Sequence, residues 1–228
     1  MYDTLSTSSI LDVFEEQVCE LGGRVSDTFH DGGQLFVRSL LPNIQPVRPG
    51  DKMQAGLALR ASDEELWLHP YMFRQLCRNG AIMAQAIESL HVECLGAYTR
   101  EEGTDMLREA IVRCADPEVF ARSLRRVRSS VTSEMDGFLA VMQHLAPLLR
   151  HGMGHVLHEI LGEYAVGRER TRFGLMNAVT AVARETSDPD AHWRLEELGG
   201  DIGARLLPKR PTPAPARARH QAEPVPTS

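Results

Sequence analysis

Only two lysines occur in the 228 residues, Lys52 and Lys209, so nearly all of the positive charge is arginine. That bias has two readings, a GC-rich genome or selection for guanidinium forks that grip phosphates. Cysteine is scarce as well. Cys19, Cys77, Cys94 and Cys114 are widely separated, with no Cys-x-x-Cys pair, which excludes a zinc ribbon and a disulfide scaffold and suits a reducing compartment. No apolar run approaches the roughly 18 residues that span a bilayer. Residues 1–20 carry Asp3, Asp12, Glu15, Glu16 and Glu20, where a signal peptide would be basic and then apolar. The expectation is a cytoplasmic protein with no membrane partner. Phosphate-loop, dinucleotide-fingerprint and Gly-x-Ser-x-Gly patterns are all missing, so ATPase, dehydrogenase and common hydrolase chemistry lose their main signals and no cofactor is called for.

What is present is ordinary globular material. The chain is 43% hydrophobic and 25% charged, enough for one domain of about 200 residues with its own core. The net charge of −6 is unevenly spread: residues 1–96 hold 7 basic against 13 acidic side chains, residues 97–207 hold 14 against 17, and residues 208–228 hold 4 against 1. An acidic body contacts nucleic acid only through local patches.

The pattern predicts an α+β fold: an N-terminal helix, an antiparallel β-hairpin sheet, a helical C-terminal half and a disordered tail. Residues 6–21 have helical spacing behind Ser6–Ser9 and end at Gly22-Gly23. Residues 24–30 and 34–41 flank Asp31-Gly32-Gly33, a hairpin signal. Pro42, Pro46 and Pro49 mark 42–50 as a loop or stiff connector, and 51–61 alternates as a strand. Residues 65–76 read as a strand, a kink at Pro70, then a second strand or the start of a helix, and 82–95 fits either period. The β-rich part covers about 22–96 and the helical part about 104–207 of a single domain spanning 1–207. Asp116-Pro117-Glu118 starts a helix whose apolar residues run on through Phe138 and Leu139. Further helices are expected from near Gly154 to Gly167, over 171–185 and over 190–207. The prolines of 208–228 have nothing to bury.

Two segments carry a family resemblance. The first is Arg74-Gln75-Leu76-Cys77-Arg78-Asn79-Gly80, preceded by the strand Met53 to Ser62; the second is Arg172-Phe173-Gly174-Leu175-Met176-Asn177-Ala178-Val179-Thr180, followed by Leu195 to Gly200. Together they resemble a phage/plasmid-related family of unknown function, whose members pair an Arg-x-x-Cys-x-Asn-Gly segment with a later Asn-Ala-x-Thr helix. The resemblance covers roughly residues 5–207 and implies a mobile-element origin without implying a reaction. Members often carry a basic, His-containing strand after Asn-Gly. Here His91-Val92-Glu93-Cys94 is mixed, which withdraws support from a site on that strand. The order of helix, hairpins and helices is also a distant fold-level analogue of phage single-strand annealing proteins.

Several constellations have both a functional and a plain reading. Arg74 could fork onto a phosphate and Asn79 could bond a base, or Asn79-Gly80 is a turn and Arg74 an ion-pair member. Cys77 as a nucleophile would need His69 or His91 beside it. Arg122, Arg125, Arg126 and Arg128 gather near one helical face, with no acid between Glu118 and Glu134; they track a phosphate backbone or partner acids elsewhere. His151, His155 and His158 share a face if the helix is unbroken, a spacing that fits a metal, although Gly152 and Gly154 intervene. Asn177 and Thr180 would clamp helix to sheet, with Thr180 bonding back to a preceding carbonyl. Phe173 and Trp193 would be core anchors.

The leading expectation is a non-enzymatic DNA-binding protein of a mobile element, acting by single-strand binding or annealing in recombination through Arg74, Asn79, Arg122, Arg125, Arg126 and Arg128. Two alternatives stand beside it. One is a protein-interaction or anti-defence module that docks its acidic body on a host or phage protein. The other is a metal-dependent enzyme using His151, His155 and His158. Edge strands would permit a homo-oligomer.

Overall fold

Period-two alternation in three neighbouring segments decides the architecture. Leu35, Val37 and Leu41, then Leu57 and Leu59, then Leu66, Leu68 and Met72 are buried together in one large core. The intervening Phe36, Leu40, Ala58 and Tyr71 are buried too, in a smaller cluster with Ile82 and Trp193. Successive side chains of a strand point to opposite faces, so the middle of this sheet is covered on both sides.

The computed structural model describes residues 5–31, 33–93 and 95–205. Helix α1 (Thr7–Glu20) leads into strands β1 (Arg24–Asp31), β2 (Gln34–Arg48), β3 (Asp51–Ala61), β4 (Glu65–Arg74), β5 (Asn79–Ile82) and β6 (Leu90–Glu93). Helices α2 (Arg100–Cys114), α3 (Pro117–Val131), α4 (Gly137–Arg150), α5 (Leu157–Gly167), α6 (Arg172–Glu185) and α7 (Pro189–Ala204) follow. The strands pair antiparallel in the order β1-β2-β3-β4-β5. β5 and β6 lie end to end along one edge of β4, against residues 71–74 and 65–68 respectively. The α+β layout expected from the sequence is the one observed. The tail expected over 208–228 lies outside the described residues. No described helix is long and apolar enough to cross a membrane.

The prolines break no strand, which corrects two expectations. Residues 42–48 belong to β2, which runs from Gln34 to Arg48 and turns at Gly50, a residue with φ +77°. β1 pairs only with residues 34–40 of β2. The stretch holding Pro42 and Pro46 is therefore an edge on that side, where a missing N–H costs nothing. Pro70 likewise sits in β4 between the segments bonded to β6 and to β5, and its carbonyl accepts from the Met83 N–H at 2.9 Å. A gap in the pairing is where a strand tolerates proline.

Caps set the helix starts. Ser6, Thr99, Asp116, Thr171 and Asp188 each accept a backbone N–H of the first turn, and Thr99 with Glu102 forms a full capping box. The apolar face expected to continue from α3 through Phe138 and Leu139 does not. α3 stops at Val131, Glu134 bridges Thr171, and α4 begins at Gly137 with Phe138 and Leu139 67% and 71% exposed. α7 packs tightly on β5, because a Cβ on Gly200 would stand 1.9 Å from the Ile82 carbonyl oxygen.

Candidate functional site

The face of the sheet opposite the main core carries Arg38, Gln54, Tyr71 and Phe73. Beside them an open cleft of about 570 Å³ lies between this face, the turn joining β4 to β5, and residues of α6 and α7. β1 contributes through a bulge: Val25 pairs with Ser39 and Asp27 with Arg38, leaving Ser26 as the extra residue. Among the described residues four arginines (Arg24, Arg38, Arg78 and Arg184) and two carboxylates (Asp27 and Glu196) line it. That lining is net positive in a chain of net −6.

Its floor is a charged network centred on the buried Arg38, Tyr71 and Glu196. Arg38 Nε donates to Glu196 Oε2 at 2.7 Å, and Arg38 Nη1 donates to Asp27 Oδ2 at 3.0 Å. The Tyr71 hydroxyl donates to Glu196 Oε1 at 3.2 Å, and His192 Nε2 lies 3.3 Å from the same oxygen. Burial pushes the Tyr71 phenol well up, and the Glu196 carboxylate adds to the effect. Burial alone would lower Arg38, but Glu196, Tyr71 and Asp27 outweigh it and hold the guanidinium charged. Gly80 makes room for the phenol: a Cβ there would stand 1.8 Å from the Tyr71 oxygen.

The rim differs from the floor. Among the described residues the guanidinium groups of Arg24 and Arg78 have no hydrogen bond or ion pair, and both residues are exposed. Arg78 holds φ +54°, a left-handed conformation that is uncommon for a residue with a side chain. Arg184 donates to the Cys77 carbonyl at 2.5 Å and pairs with Glu185. Asn79, beside Arg78, is 4% exposed. Its Nδ2 donates to Thr180 Oγ1 at 2.7 Å and to the Asn177 carbonyl at 3.3 Å, while its Oδ1 is buried without a partner. The Thr180 hydroxyl proton goes to the Met176 carbonyl at 3.0 Å. Only an N–H of Asn79 can then face Thr180, which turns the orphaned oxygen away from it.

The residues singled out in the sequence are dispersed. Arg74 is buried and grips Asp51 with Nε at 3.0 Å and Nη2 at 2.6 Å, and its guanidinium lies 5.2 Å from the Phe173 ring centroid. Arg122 pairs with Glu88 at 2.6 Å and Arg125 with Glu118 at 2.7 Å, while Arg128 donates twice to the Pro46 carbonyl. Arg126 is half-buried on the same helix. Of that set Asn79 alone lines the cleft, and it does so with Arg78 of the same motif. Cys77 receives Arg74 Nη1 at 3.3 Å on its Sγ. His69 bonds Ser89 rather than any cysteine, and His91 stacks on Trp67 with ring centroids 3.4 Å apart.

The common face expected for His151, His155 and His158 is not formed. His151 caps α4, Gly152 turns at φ +71°, His155 lies in the 3-10 turn Gly154–Val156, and only His158 lies within α5. No group of three or more His, Cys, Asp or Glu among the described residues is placed to hold a metal ion. The clamp of Asn177 and Thr180 is present, with Asn79 as its partner on the sheet. Phe173 and Trp193 are buried.

Sequence reasoning passed over Arg24, Arg38, Tyr71, His192 and Glu196. One signal was available: Arg38 interrupts the apolar run Leu35–Leu41, and a charge inside a buried strand requires a partner. No family model, no curated protein and no solved structure matches this chain.

Proposed function

We propose that this protein is a non-enzymatic nucleic-acid-binding protein that takes a single strand into the cleft on the second face of its sheet. The observation that carries this reading is the pair Arg24 and Arg78, exposed and unpaired among the described residues at a net-positive cleft. Guanidinium groups with no internal partner are free to fork onto phosphates. A volume of about 570 Å³ falls in the roughly 300–1,000 Å³ range of small-ligand sites, so it admits a nucleotide unit and not a duplex. Phe73 offers an aromatic face for stacking. The fixed Asn79 Oδ1 offers an acceptor for a base N–H, and phosphate contacts then position what base contacts specify. The resemblance to a phage/plasmid-related family supports a role in handling mobile-element DNA, with strand annealing in recombination as its setting and the cytoplasm as its location.

Fluorescence anisotropy with labelled single- and double-stranded DNA at two salt concentrations tests the proposal. Salt-sensitive binding of single strands that falls in Arg24→Ala/Arg78→Ala and persists in Arg122→Ala/Arg125→Ala supports the cleft. Retention in the first pair and loss in the second would move the site to α3. No binding at low salt would overturn it.

A second reading, a protein-interaction module, is favoured by Phe138, Leu139 and Leu149 of α4 and Val166 of α5, large apolar side chains exposed to solvent. One defined host protein held by the wild type but not by Phe138→Ser/Leu139→Ser, with no DNA retained, would favour it.

A further inference from the structure

Among the described residues three arginines are almost wholly buried, and they are not treated alike. Arg38 has Asp27 and Glu196, and Arg74 has Asp51. Arg172, 2% exposed, has no carboxylate among the described residues. Its Nη1 donates to the Arg205 carbonyl, its Nη2 to Ser133 Oγ at 3.2 Å, and its Nε has no partner. It also opens α6, where the positive end of the helix dipole opposes a cation. Burial and the nearby Arg205 both lower its pKa, the signature of a charge without compensation.

Next to Arg172, α4 and α7 enclose a cavity of about 250 Å³ lined by His144, Arg150, Asp201 and Arg205, with Gln85 and Gln143. Arg150 is exposed, and its guanidinium has no hydrogen bond or ion pair among the described residues. Arg205 Nη1 donates to His144 Nδ1 at 3.1 Å. Burial, then Arg205 and Arg172, lower His144 to about 4, so at neutral pH the ring is uncharged and Nε2 carries its proton as a donor. Among the described residues Asp201 is the one carboxylate lining the cavity; burial raises its pKa, and Arg205 and then Gln85 oppose that rise.

The geometry points to a phosphate-binding site in this cavity, with Arg150, Arg205 and the His144 imidazole as donors and Arg172 as the fixed positive charge behind them. Two guanidinium groups and an imidazole surround a tetrahedral oxyanion, whereas a planar carboxylate needs a single fork. The cavity is too small for a whole nucleotide, so the ligand is inorganic phosphate or the terminal phosphate of an ester. It is separate from the cleft and does not depend on nucleic-acid binding there.

Calorimetry and thermal unfolding of the full chain with inorganic phosphate, acetate and chloride at matched ionic strength test it. A ligand of the native state raises the midpoint steadily with the logarithm of its concentration. Phosphate is expected to do so and acetate and chloride are not. Arg150→Ala, at an exposed position, is expected to weaken the affinity by about tenfold or more, as loss of a charge-assisted hydrogen bond does, and His144→Phe to weaken it too. Arg24→Ala/Arg78→Ala is expected to leave it intact. An equal midpoint for the three anions, an affinity unchanged by Arg150→Ala, or a response abolished by Arg24→Ala/Arg78→Ala would each overturn the assignment. A nucleoside monophosphate that binds as phosphate does identifies the ester as a source, and one that does not leaves the free anion.

Discussion

Asn79 and Thr180, 101 positions apart in sequence, hold each other in one orientation: the Asn79 amide nitrogen donates to the Thr180 hydroxyl, which donates onward to the Met176 carbonyl. The chain of donors leaves the Asn79 oxygen as a fixed acceptor. Thr180→Val keeps the shape and removes that direction. We expect a loss of about 1–2 kcal/mol from an unpaired buried donor, read as a lower denaturant midpoint at unchanged slope. Binding of strands with base donors should weaken more than binding of an abasic strand. Equal weakening of both would remove Asn79 from base recognition.

The floor of the cleft predicts a double-mutant result. Glu196→Ala leaves Arg38 buried with Asp27 alone, and breaking such a pair typically costs about 3–5 kcal/mol. Arg38→Met with Glu196→Leu removes both charges and should recover most of that stability while still weakening ligand binding. Unfolding curves of the single and double variants give the coupling. A double variant no more stable than Glu196→Ala would contradict the assignment of the loss to an uncompensated charge.

Gly80→Ala tests how the site is packed. Its Cβ would stand 1.8 Å from the Tyr71 oxygen, so the phenol must leave Glu196. The expected destabilisation is about 1–3 kcal/mol, typical of overpacking. Loss of binding should accompany it, and a neutral effect would show that Tyr71 is not held in place.

Acid should weaken the fold through His69. Burial, then His91, lower it to about 4 from its ordinary 6.5. Above pH 6.5 both folded and unfolded states are neutral there. Between 6.5 and about 4 the unfolded chain takes up a proton that the native ring refuses, so stability falls as pH falls. The full window is worth roughly 3 kcal/mol. Glu197, raised chiefly by burial, opposes it by binding its proton earlier in the folded state. Unfolding measured from pH 7 to pH 4 should therefore flatten in His69→Gln, and an unchanged profile would exclude this ring as the source.

The sheet was legible because its signals are local. Alternation at Met53, Ala55, Leu57 and Leu59 marks β3 in a window of a few residues, as Asp116-Pro117-Glu118 marks the start of α3. The prolines misled because their cost depends on pairing: Pro42 and Pro70 sit where no neighbouring strand needs an N–H. α4 went unseen because its apolar residues fall on both sides, with Val141 and Leu145 buried while Phe138 and Leu139 are exposed. The cleft was legible only in the Arg78-Asn79 motif. Its floor joins Arg38 to a carboxylate 158 positions away and Tyr71 to the same group 125 positions away, separations that no spacing rule covers.

If the arginine-rimmed cleft, and not the arginine face of α3, binds a single strand, the salt dependence of single-strand affinity must differ between the wild type and Arg24→Ala/Arg78→Ala. Losing two phosphate contacts should flatten the slope of log affinity against log salt by about 1–2 and weaken binding for every sequence alike. An unchanged slope, or no binding even at low salt, would rule the cleft out as the binding site.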